Sequence, residues 1–154
     1  MKELVDRLRA AYPDSGMSDE THELYTRMLG DLDFAETDRA IDELIATMMQ
    51  LPTISRIRRD VIEPTLDLPT AEEAWIAVQG RERDMHELAR RTATLMGGSF
   101  NIRTSADPEL TRVRFAKVYD ALRRESVDSA LSATLRARRM KLPERDRSSA
   151  SVAS

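Results

Sequence analysis

Between its prolines and glycines, this chain sets apolar residues three and four positions apart, the spacing that lays one apolar stripe along a helix. Leu4, Val5, Leu8, Ala11 and Tyr12 form the first stripe, which Pro13-Asp14-Ser15-Gly16 stops. Ser18-Asp19-Glu20 then supplies an N-cap with acids in the first turn, and Leu24, Tyr25, Met28 and Leu29 follow before Gly30. A third stripe of Phe34, Ile41, Leu44, Ile45 and Met48 runs from Asp33 to the break at Leu51-Pro52-Thr53. Thr53 starts a fourth helix with Ile54, Ile57 and Val61 inward and Arg56, Arg58 and Arg59 largely outward.

Thr70 with Glu73 three residues on predicts a capping box, worth about 1 kcal/mol, ahead of Ala74, Trp75 and Val78. The charged stretch 79–84, which holds Gly80, predicts a kink or a loop. A further stripe from Met85 through Leu88, Ala89, Thr92, Leu95 and Met96 ends at Gly97-Gly98. Asp107-Pro108 predicts an N-cap with proline at the first helical position, opening a last helix that carries Leu110, Val113, Phe115, Val118, Tyr119 and Leu122. Beyond Glu125 only Val127, Leu131 and Leu135 recur, which predicts a marginal extension. From about residue 136 a basic cluster runs into a serine-alanine stretch, and with no apolar face it is expected to stay disordered until a partner holds it.

The composition agrees with helices. Ala, Leu, Met, Arg and Glu are abundant, while aromatics make up 5%. The expectation is an all-α fold: a compact multi-helix domain over 1–123 and a partly helical, then disordered, basic tail over 124–154. With no cysteine, disulfides, thiolate zinc sites and cysteine nucleophiles are excluded. No apolar run approaches the roughly 20 residues that span a bilayer, and the first residues lack a signal-peptide apolar core, so a soluble, cytoplasmic protein is expected.

Charge is distributed unevenly. Residues 1–50 hold 12 acidic and 5 basic side chains, residues 51–122 hold 11 of each, and residues 123–154 hold 4 acidic and 8 basic. Such polarity suggests different partners at the two ends.

A search for catalytic groups finds no nucleophile with its base, no phosphate-cradling loop with its lysine, and no cofactor motif. His22 and His86 lack a second His or Cys at ligand spacing and read as helix-surface residues. Asp31 and Asp33 read as solvated or capping carboxylates, Trp75 as a core anchor, and Met48-Met49 as core filling more than an adaptable contact. The expectation is a protein that is not an enzyme. Arg56, Arg58 and Arg59 could meet phosphates as a helix-turn-helix element does, but the acidic residues 1–50 repel nucleic acid, so DNA contact is expected to be weak or indirect.

Several stretches, in order, resemble phage-encoded loaders and inhibitors of the replicative helicase. They are 23–34 (ELYTRMLGDLDF, with Leu24 where the family has tryptophan), 51–57 (LPTISRI), 68–75 (LPTAEEAW) and 112–122 (RVRFAKVYDAL). The resemblance implies a helical domain with a flexible C-terminal part that grips a hexameric replicative helicase, restrains its ATPase and delivers it to an origin-bound initiator. On that reading Leu131, Leu135 and Met140 are apolar anchors, Arg136, Arg138, Arg139 and Lys141 steer the encounter, and Arg56, Arg58 and Arg59 form a secondary contact. Two other functions stay open: a DNA-binding accessory protein using 51–63 and the basic tail, and a structural phage assembly protein.

Overall fold

Caps and breakers set the element boundaries. The computed structural model describes residues 1–141, Lys141 by its backbone alone, and among them every regular element is helical. The described chain divides into two compact units, one of residues 1–65 together with 130–141, the other of residues 66–129.

In the first unit, α1 (Lys2–Ala11) ends in a 3-10 turn at Pro13–Ser15, after which Gly16 takes a left-handed φ of +63°. Three further helices follow: α2 (Asp19–Leu29), α3 (Phe34–Thr47) and α4 (Ile54–Ile62). Each begins where a side-chain oxygen accepts an otherwise orphaned amide: Ser18 from Thr21, Asp33 from Glu36 at 3.0 Å, and Thr53 from Arg56. The expected stripes converge on Leu4, Val5, Leu8, Leu29, Ile41, Leu44 and Ile57, all buried. Full burial of one such side chain contributes roughly 2 kcal/mol. The two tyrosines of this core bury their rings and keep their hydroxyls bonded: Tyr25 donates to the Pro52 carbonyl at 3.0 Å, and Tyr12 to the carbonyls of Leu44 and Met48.

In the second unit, α5 (Ala71–Gly80) carries the expected capping box: Glu73 N–H donates to Thr70 Oγ1, and Thr70 N–H donates to the Glu73 carboxylate at 2.7 Å. Gly80 is the last residue of the helix, which stops at Arg81, whose φ is +59°. The charged stretch 79–84 leaves the helix after Gly80 and runs as turn and loop, as expected. Two shorter helices, α6 (Glu87–Leu95) and α7 (Ser99–Arg103), are joined through Gly97 and Gly98 at φ +90° and +97°, values that strain any side-chain-bearing residue. Their core closes on Phe115 and Tyr119, with the half-buried Trp75 edge-on to Phe115 at 5.4 Å. Leu95, Leu110 and Val113, expected inward, are exposed instead, because α6 and the start of the last helix turn only part of the stripe inward.

That last helix, α8 (Pro108–Lys141), is capped as expected, with Leu110 N–H donating to Asp107 Oδ1 at 3.0 Å. The expected extension through Val127, Leu131 and Leu135 is helical, and the helix continues past it to Lys141. The boundary expected at 123–124 falls inside unbroken helix, and residues 136–141, expected without structure, are its last turns. Neither glycine nor proline occurs between Glu109 and Lys141, and the good helix formers Ala, Leu, Arg and Met supply local propensity where apolar density falls. The remainder of the expected loose tail, from 142 on, lies outside the described residues.

Candidate functional site

The end of α8 belongs to the first unit, and polar contacts hold it there. Leu131, Thr134 and Arg138 lie at i, i+3 and i+7 and so share one side of the helix. Leu131 is half-buried. The Arg138 guanidinium donates to the Arg27 carbonyl at 2.7 Å and to Met28 Sδ at 2.8 Å, and its Nε lies 3.7 Å from Asp31 Oδ1. Its side chain is only 14% exposed. The accepting carbonyl belongs to the last turn of α2, where unsatisfied carbonyls and the helix dipole favour a cation.

Asp31, two residues past the end of α2, also holds a second arginine. Arg58 from α4 grips its carboxylate in a two-point fork at 2.7 and 2.8 Å, and donates as well to the Met28 carbonyl at 2.7 Å and to Thr134 Oγ1 at 3.3 Å. Thr134 can accept because its own hydroxyl proton goes to the Leu131 carbonyl. One carboxylate thus faces two guanidiniums, and the pair it forms with Arg58 ties α2 and α4 to α8. Burial by itself would raise the Asp31 pKa. The hydrogen bonds and charge of Arg58, helped by Arg138, outweigh burial and hold it below the usual aspartate range.

Arg58 was expected outward with Arg56 and Arg59, as part of a secondary contact. It is 2% exposed and already engaged, so it cannot reach a phosphate or a partner. The reason is its register: position 58 is four residues from Ile54 and three from Val61, on the apolar side of α4. Of the other two, Arg56 is exposed and paired with Asp60 at 2.9 Å, and Arg59 is half-buried. The turn-helix at 51–63 therefore loses the middle of its basic patch.

Compared with protein-family models, curated proteins and solved structures, this chain matches none.

The face of α8 turned away from Arg138 carries the other expected contacts. Arg136 and Arg139 are exposed, Met140 is 78% exposed, and Leu135 lies at the border between the two faces. Lys141 is described only by its backbone, so its expected contact lies outside the described side chains. Arg138, expected to steer a partner from the same loose segment, instead anchors the helix inward.

Two guanidiniums beside apolar side chains suit recognition of a surface that offers carboxylates and shallow apolar pockets. Neither histidine stands near this face in sequence or is open at a helix surface as expected. His22 is buried with Nε2 2.7 Å from Asp6, and the half-buried His86 caps α6 by accepting Leu88 N–H at Nδ1. Among the described residues, no three His, Cys, Asp or Glu side chains come together as metal ligands, and no helix is long and apolar enough to cross a membrane.

Proposed function

We propose that this chain is a non-enzymatic adaptor that binds another macromolecule through the outward face of the α8 end. The observation that carries the reading is the division of that helix end: Arg138 and Thr134 fasten one side, while Leu135, Arg136, Arg139 and Met140 stay outside. A preformed helix loses little backbone entropy on binding, so the ordering cost is that of a few long side chains, about 1 kcal/mol each. This differs from a tail that folds only on its partner.

The partner we propose is a hexameric replicative helicase in the cytoplasm of a bacterial host, whose ATPase the adaptor restrains before an origin-bound initiator receives the complex. The order of the stretches 23–34, 51–57, 68–75 and 112–122 supports that choice of partner. The test is sedimentation of the purified chain with such a helicase and a non-hydrolysable nucleotide, alongside helicase ATPase assays. Binding is expected, with at least tenfold loss in the Arg136→Glu/Arg139→Glu double variant, since each reversed charge meets a carboxylate-bearing surface. No association with the helicase overturns the choice of partner. Tight duplex-DNA binding that falls steeply with salt would favour the DNA-binding reading instead.

A further inference from the structure

The first unit also holds a cavity whose one charged lining residue is acidic, separate in sequence from the α8 end. Where α1 ends, the chain from Ala11 to Ser15 and the connector 49–51 between α3 and α4 line a half-open cavity of about 430 Å³. That volume falls within the range of small-ligand and side-chain pockets. Tyr12, Pro13, Met49 and Leu51 give it apolar walls, while Asp14 and Gln50 supply polar groups.

Met49 is the unusual member. It is 98% exposed, although methionine is ordinarily core material, and its neighbour Met48 does pack against the core. An unbranched, polarizable side chain standing in solvent at a cavity's edge can fold over whatever enters.

The electrostatics of the cavity have one sign. No Lys or Arg lines it, and the exposed Asp14 carboxylate has no ion pair or hydrogen bond among the described residues. Two helices end beside it, α1 at Ala11 and α3 at Thr47, each bringing a partial negative charge. The last turn of α3 has no basic residue, and Tyr12 must share a single hydroxyl proton between the carbonyls of Leu44 and Met48. Arg9, in the last turn of α1, is held by Asp19 at 2.7 Å. Along the chain, residues 1–50 carry 12 acidic against 5 basic side chains. Such a pocket repels carboxylates and phosphates. A single carboxylate is too few oxygens for a bound metal ion. A cation on an apolar stem fits both the charge and the walls.

We propose that this cavity receives an arginine or lysine side chain, flanked by an apolar residue, from a segment of a partner protein. The seat is formed by Tyr12, Asp14, Met49 and Leu51, with Asp14 meeting the cationic head and Met49 closing on the stem.

The test is a 1H-15N NMR titration of the full chain with the peptide acetyl-Leu-Arg-Leu-amide and its counterpart acetyl-Leu-Glu-Leu-amide. Shifts confined to residues 11–15 and 49–51 are expected with the arginine peptide and none with the glutamate peptide. Both Asp14 and Met49 are exposed, so Asp14→Lys and Met49→Ser should fold normally. The first should weaken binding at least tenfold and the second several-fold, and raising salt from about 0.05 to about 0.5 M should weaken it as well. Equal shifts from both peptides, or an Asp14→Lys variant that binds as well as the parent, overturns the proposal. Concentration-dependent self-association that Asp14→Lys abolishes would seat a second copy of this chain in the cavity and overturn the foreign partner.

Discussion

Asp31 is the carboxylate that faces both arginines, Arg58 and Arg138, where the α8 end meets the first unit. Replacing it with Asn leaves Arg58, whose side chain is 3% exposed, as a buried cation without an anion, and the expected cost is about 3 kcal/mol in urea unfolding at neutral pH. The sign of the pH dependence follows from its lowered pKa. The ion pairs contribute fully above the unfolded aspartate value of about 3.9 and are lost as pH falls through the lower native value. The stability gap between the parent chain and Asp31→Asn should therefore close below about pH 4; a gap unchanged at pH 3 would contradict the assignment. Some of this was legible beforehand. Arg58 sits at apolar spacing on its helix, a position that implies burial with a partner, but nothing in one dimension names Asp31 as that partner. His22 was hidden in the same way: burial against Asp6 comes from how α1 and α2 pack, and not from local pattern.

At the scale of the element, start signals were the most legible feature, because a cap is a contact between residues three apart. Ser18, Asp33, Thr53, Thr70 and Asp107 each begin a helix as their spacing implies. Thr70→Ala removes the Oγ1 that accepts Glu73 N–H and should cost about 1 kcal/mol, seen as a drop of a few degrees in the thermal midpoint of the full chain. The end of α8 was the least legible. Loss of apolar density looks like loss of helix when only a hydrophobic face is counted, yet this end is held by the Arg138 guanidinium, which donates to a carbonyl in the last turn of α2, more than a hundred residues earlier in the chain. Likewise Met49 leaves the core that its neighbour Met48 joins, since α3 stops at Thr47 and the chain turns extended.

For the whole molecule, α8 is the element shared by both compact units, with residues 108–129 in one and 130–141 in the other. Truncation after Ser129 removes Thr134 and Arg138 from the first unit and leaves residues 66–129 of the second unit in place. It should lower the stability of the first unit and abolish partner binding, while hydrogen exchange in residues 71–103 stays as slow as in the full chain. The charge asymmetry along the sequence acquires a spatial meaning here: an outward basic face at 136–140 and a separate acidic cavity at 11–15 and 49–51 lie in the same unit. The most direct test of the account is amide hydrogen exchange at residues 131–140, measured in the isolated chain and again with a hexameric replicative helicase and nucleotide. Slow exchange in the isolated chain, slowed further by the helicase, is the expected result; exchange at unstructured rates before binding, or rates that the helicase leaves unchanged, would contradict it.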